Sequence, residues 1–101
     1  MSLHLVALRL VDTSGTPVGG ANMRVWRVSN KRLLPGAGPV GSAGDYKIME
    51  DGELPDLRAG GELFDVEFRK DTRTKRLRVR VGLDAQGCHA VLLEGEPRVV
   101  F

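Results

Sequence analysis

Glu62-Leu63-Phe64-Asp65-Val66-Glu67-Phe68-Arg69 alternates apolar and charged side chains almost without a break. Phe64, Val66 and Phe68 fall on one side of an extended chain, and Asp65, Glu67 and Arg69 on the other. Lys75-Arg76-Leu77-Arg78-Val79-Arg80-Val81 repeats the pattern, with Leu77, Val79 and Val81 set against Arg76, Arg78 and Arg80. A two-residue period is that of a β-strand with one dry face and one wet face. Two such runs in succession predict an antiparallel hairpin. Pairing Phe68 with Leu77 sets Glu67 against Arg78 and Asp65 against Arg80, so the wet face becomes a ladder of opposite charges.

The rest of the chain follows the same logic. His4 to Val11 is rich in Val and Leu and reads as a first strand. Asp12-Thr13-Ser14-Gly15-Thr16-Pro17 is a turn, because Asp and Ser bond the local backbone, Gly relaxes it and Pro presets it. Asn22 to Val28 reads as a strand with Met23 and Val25 on one face and Arg24, Trp26 and Val28 on the other, placing Trp26 at an interface or a sheet margin. Ser29 to Arg32 is turn-like and leads into a short Leu33-Leu34 element. Pro35 to Gly44 carries Gly36, Gly38, Pro39 and Gly41 and is expected to be a loop. Asp45 to Met49 is a short strand with Tyr46 and Ile48 opposed to Lys47. Glu50 to Gly61 is acidic and turn-rich, with room for one helical turn around Leu54-Pro55-Asp56-Leu57. Cys88 to Leu93 and Arg98 to Phe101 complete a set of seven or eight strands, and no segment sustains a 3.6-residue period.

At 101 residues, the expectation is one domain spanning 1–101, an all-β sandwich of two sheets. The net charge of +2 is too small to imply a nucleic-acid or membrane partner. With three Phe, one Tyr and one Trp there is no stacking platform for single strands, and nucleic acid is not expected as a partner. A single Cys excludes an intrachain disulfide and a cysteine-built zinc site, and two His are too few for a His-rich metal centre, so neither metal nor cofactor is expected. No stretch approaches the ~18 apolar residues of a membrane span, and the N-terminus lacks the layout of a signal peptide. The default expectation is a cytoplasmic protein without membrane contact; a secreted or excised domain would read the same.

Val11-Asp12-Thr13-Ser14-Gly15-Thr16-Pro17-Val18-Gly19-Gly20-Ala21 resembles the opening turn of transthyretin-like (prealbumin-like) domains, a pattern shared with carboxypeptidase-regulatory-like modules. Gly44-Asp45-Tyr46-Lys47-Ile48 and Gly61-Glu62-Leu63-Phe64-Asp65-Val66-Glu67-Phe68 are similar to later turn and strand segments of that family, in order. His89-Ala90-Val91-Leu92-Leu93 is similar to a late strand of its enzyme branch, 5-hydroxyisourate hydrolase. The resemblance implies a two-sheet sandwich and assembly through strand edges. The enzyme branch has a His before the first-strand V-L-D, where this chain has Arg9. It has an Arg after the D-G turn, where Asp45 follows Gly44, and it ends in Y-R-G-S, where this chain ends Arg98-Val99-Val100-Phe101. Only the late-strand His is matched. Ring-amide hydrolysis needs a base for water and donors for the oxyanion, and one His cannot supply both. The expectation therefore leans away from an enzyme.

The candidate groups are then few. His89 and Arg9 are the candidates for an altered hydrolase site, and His4 is expected near the same sheet edge with no acidic ligand beside the pair. Cys88 is expected to be a buried structural thiol. Seven of the 15 basic residues lie between Arg69 and Arg80. After pairing with the acidic strand, Arg69, Lys70, Arg73, Lys75 and Arg76 remain at the hairpin tip as a candidate anion or nucleic-acid contact. Arg98-Val99-Val100-Phe101 is apolar to its last residue and reads either as a strand on its own core or as an edge for oligomer formation. The leading expectation is a non-catalytic binding or assembly module with a protein partner or a second copy at a strand edge; a small-molecule ligand is left open.

Overall fold

The computed structural model describes residues 4–41, 43–53 and 56–101. Leu54 and Pro55, half of the expected helical turn, lie outside the described residues. Nine strands are present among the described residues: β1 (Leu5–Val11), β2 (Asn22–Arg27), β3 (Arg32–Leu33), β4 (Gly38–Val40), β5 (Asp45–Glu50), β6 (Glu62–Lys70), β7 (Arg73–Leu83), β8 (Ala90–Glu94) and β9 (Arg98–Val100). They form a four-stranded sheet ordered β4-β5-β1-β9 and a five-stranded sheet ordered β3-β2-β6-β7-β8. All pairs are antiparallel except β1 with β9.

The expectation of seven or eight strands falls short because the Pro35–Gly44 segment is not all loop. Gly38, Pro39 and Val40 pair with Lys47, Tyr46 and Asp45. Proline removes a donor but is tolerated on an edge strand, which is where β4 lies.

The β6–β7 hairpin forms as its alternation requires, in a register two residues from the expected one. Phe68 faces Lys75, Val66 faces Leu77, and Lys70 faces Arg73 across a two-residue turn at Asp71-Thr72. Asp71 takes the left-handed conformation, with φ at 55°. Asp is among the residues that tolerate it, and a turn this short sets the register. The charge ladder survives the shift with new partners: Arg78 donates to Asp65 at 2.7 Å and Arg76 to Glu67 at 2.8 Å.

One apolar cluster joins the two sheets. Leu8, Leu10, Tyr46 and Ile48 enter it from the four-stranded sheet, and Val25, Phe64, Val66, Phe68 and Val79 from the five-stranded sheet. Burying each large side chain contributes about 1.5–3 kcal/mol. A bulge in β5 modifies the expected alternation: Val6 faces Met49 and Ala7 faces Lys47, so Ile48 is the extra residue and both Ile48 and Met49 turn inward. Tyr46 is buried to 1% exposure and packs edge-on to Phe68 with ring centroids 5.1 Å apart. Its hydroxyl donates to the Val18 carbonyl at 2.9 Å and accepts from the Ala21 amide at 3.1 Å. A core aromatic thereby ties down the long β1–β2 connection.

The Asp12 turn behaves as its residues predict. The Asp12 carboxylate accepts from the Ser14 and Thr16 amides, both at 2.9 Å, and from the Ser14 hydroxyl at 2.7 Å. These bonds, the Ser14 hydroxyl first, hold its carboxyl below the usual Asp range.

Candidate functional site

His89 lies just before β8, and Asp51 just after β5. Their side chains meet, with Nδ1 of His89 2.7 Å from Oδ2 of Asp51, while Oδ1 of Asp51 accepts from the Ala90 amide at 3.1 Å. The His4 ring lies 5.1 Å from the His89 ring between centroids. The two histidines come together as expected, but the expectation of no acidic neighbour is corrected by Asp51. It arrives from the β5–β6 connection, which the sequence places 38 residues away. The hydrogen bond from Asp51 leads in raising His89 above the usual histidine range, with a further contribution from the Asp84 charge. The His89 bond likewise leads in lowering Asp51.

Arg9 is not part of this group. It pairs with Asp45, donating from Nε at 3.0 Å, on the outer side of β1. Asp45 and Asp51 mark opposite ends of β5, roughly 20 Å apart for six extended residues. The structure thus does not bring His89 and Arg9 together. The cavity beside Asp51, lined by Met49, Leu57, Leu83, Cys88 and their neighbours, holds about 40 Å³, against the ~300 Å³ or more of a ligand pocket. Cys88 is exposed, correcting the expectation of a buried thiol. The Gly87 turn lifts it off the end of β7, and its amide is held by Asp84 at 3.0 Å. Among the described residues no group of three or more His, Cys, Asp or Glu side chains is placed to hold a metal ion.

The basic hairpin tip is largely occupied within the chain. Lys70 donates to the Gly19 carbonyl at 2.9 Å, and Arg73 donates to the Phe101 carbonyl at 2.8 Å while lying over the Phe101 ring at 4.6 Å. Arg76 and Arg69 both approach Glu67, at 2.8 and 3.7 Å. Lys75 has no hydrogen-bond or ion-pair partner among the described residues. The C-terminal segment forms β9, the edge of the four-stranded sheet. Val99 is buried in the core, Val100 is 49% exposed, and Phe101 is held by the Val11 carbonyl and Arg73.

A different surface has the dimensions of a binding site. The outer face of the five-stranded sheet is built from cross-strand rows. One runs Asn22–Arg69–Thr74, the next Arg24–Glu67–Arg76, and the third Leu33–Trp26–Asp65–Arg78. Three adjoining hollows run along this face and together form a trough. A hollow of about 450 Å³ lies over Trp26, Asp65, Val66, Glu67, Arg76 and Leu77. It shares Glu67 with a second of about 370 Å³ toward Arg24 and Arg69, and shares Trp26 and Asp65 with a third of about 380 Å³ toward Val28 and Lys31. Leu33, opposite Trp26, is 49% exposed and extends the apolar part of the face.

Glu67 is unusual on such a face. It is the one buried charged residue among those described, at 5% exposure. Its Oε2 accepts from Arg76, whereas Oε1 has only Arg69 at 3.7 Å, beyond hydrogen-bond reach. Arg24 and Lys31, at either side of Trp26, have no ion-pair partner among the described residues. Alternation places Arg24, Trp26 and Val28 on one face, and that much is visible in the sequence. The approach of Leu33 and the burial of Glu67 depend on strand order, which alternation does not carry. No family model matches the chain, and neither a curated protein nor a solved structure matches it.

Proposed function

We propose that the chain is a non-catalytic binding module, a β-sandwich of transthyretin-like fold, that holds a partner on the outer face of its five-stranded sheet. The fold reading is supported by the order of the resembling segments. The Asp12–Pro17 turn joins β1 to β2, Gly44 opens β5, Gly61 opens β6 and His89 precedes β8. The observation that carries the function is the Trp26 trough, in which a half-buried indole sits beside a buried carboxylate with a free acceptor oxygen. Hot spots of binding combine a large anchor of this kind with charged groups shielded from water.

The test is selection of binding peptides from a random display library, followed by affinity measurement on Trp26→Ala. Retained circular dichroism shows that the variant folds. Selected peptides are expected to lose about tenfold or more in affinity. Binders indifferent to both Trp26→Ala and Arg24→Ala would end the proposal.

Assembly through β9 is a second reading, favoured by the 49% exposure of Val100 on an edge strand. A solution mass above the monomer that falls on Val100→Lys is its signature; a monomer at all concentrations removes it. A hydrolase related to 5-hydroxyisourate hydrolase has less support, since His89 and Arg9 are apart and the cavity by Asp51 is small. Turnover of uric-acid ring intermediates that disappears in His89→Ala would restore it.

A further inference from the structure

The charge on the trough is uneven in a way that selects a partner. Across the outer face and its margin at Lys31, six cations stand against the three carboxylates of Asp65, Glu67 and Glu94. That excess of three exceeds the net charge of +2 for the whole chain, so the remainder of the surface is slightly acidic. The acidic β5–β6 connection does not answer this face: Asp56 and Glu62 are held by Arg27, Glu53 by Lys47 and Asp51 by His89.

The charges are also ordered. Arg24 and Lys31, free of ion pairs among the described residues, flank Trp26 along the trough. The carboxylates stand on the neighbouring strand, with Asp65 opposite Trp26 and Glu67 opposite Arg24 and Arg76. A ligand matched to this order brings negative charge to the cations and an apolar group to the indole, and can donate to the second oxygen of Glu67. A polynucleotide supplies the first, and its bases carry N–H groups and a ring, but every one of its backbone units brings a phosphate that would meet Asp65 and Glu67 as well as the cations. A peptide supplies all three, because its amides alternate with side chains along an extended chain. β2 from Asn22 to Arg27 spans roughly 20 Å, room for about six extended residues of a ligand.

Resting on the reading of this face as the binding surface, we infer that its partner is an acidic peptide segment, bound extended, with one large apolar side chain over Trp26. Trp26 is the only tryptophan in the chain, so its emission reports occupancy directly.

The probe is a synthetic peptide of about ten residues, Asp and Glu with a central Phe. Controls replace Phe by Ala, replace the acids by Lys, or substitute a mixed-sequence single-stranded oligonucleotide. Backbone resonances of β2, β6 and β7 map the contact. The acidic Phe peptide is expected to shift Trp26 emission and those resonances, to weaken about tenfold or more between low and high salt, and to lose as much on Arg24→Ala with Lys31→Ala. Tighter binding by the Lys peptide or the oligonucleotide at the same resonances overturns the acidic-peptide inference while leaving the face as the binding surface. Absence of any response from Trp26 and its neighbours to all four probes overturns both.

Discussion

Tyr46 carries more of the structure than its single hydroxyl suggests. The ring fills the core against Phe68, and the hydroxyl serves both the Val18 carbonyl and the Ala21 amide. Removing the oxygen leaves two backbone groups without a partner, each costing about 1–3 kcal/mol if no water replaces it. Tyr46→Phe is therefore expected to lower the stability measured in urea by about 2 kcal/mol or more, and to raise amide exchange at Ala21 first. His89 and Asp51 act through charge instead. His89 is raised in the folded state, so its contribution is full below the unfolded value near 6.5 and is lost as pH rises through the folded value. Asp51 is lowered, so its contribution is present above about 3.9 and is lost as pH falls through the folded value. The pair thus stabilises most between about pH 4 and 6.5. The melting temperature of the wild type is expected to exceed that of His89→Ala by the widest margin in that window. A margin that stayed constant to pH 9 would contradict the pairing.

At the scale of elements, bulges and tight approaches decide where strands end and which side chains turn in. Between β7 and β8, Arg80 faces Glu94 while Val81 faces Leu92, so Leu93 is an extra residue. Its methyl group folds over Gly82 and Gly61, where an added Cβ at Gly82 would stand 2.6 Å from the Leu93 side chain, 2.9 Å from the Gly61 Cα and 3.0 Å from the Arg58 carbonyl. The side chain can move; the two backbone atoms cannot move cheaply. Gly82→Ala is expected to cost about 1–3 kcal/mol, and Leu93→Ala in the same chain to restore only part of it. Full rescue in thermal melts would show that Leu93 alone sets the constraint. The β6–β7 hairpin makes the complementary point. Its alternation foretells both strands and the charge ladder, yet the register follows from a two-residue turn at Asp71 that alternation does not reveal.

At the scale of the whole molecule, the two sheets share one apolar cluster, and Arg27 with Glu62 and Asp56 ties the end of β2 to the β5–β6 connection. Trp26 reports on the outer face of one sheet, whereas far-ultraviolet circular dichroism reports on both. If the shared cluster couples them, unfolding followed by the two signals coincides in urea. A Trp26 transition at lower urea would mean that the five-stranded sheet opens separately. The basic residues of the hairpin tip show how packing redistributes a sequence feature. Of Arg69, Lys70, Arg73, Lys75 and Arg76, four are drawn onto Glu67, Gly19 and Phe101, which leaves Lys75 as the cation of the tip without a partner among the described residues.

What was legible in the residues is local. Period-two runs at Phe64–Phe68 and Leu77–Val81 disclose strands and their dry faces, and Asp12–Pro17 discloses its turn, because side-chain direction and turn chemistry depend on near neighbours. The meeting of His89 with Asp51, the burial of Glu67 and the trough over Trp26 came from long-range pairing. Each depends on which strands lie side by side and in what register, and a one-residue slip would turn every such side chain to the other face.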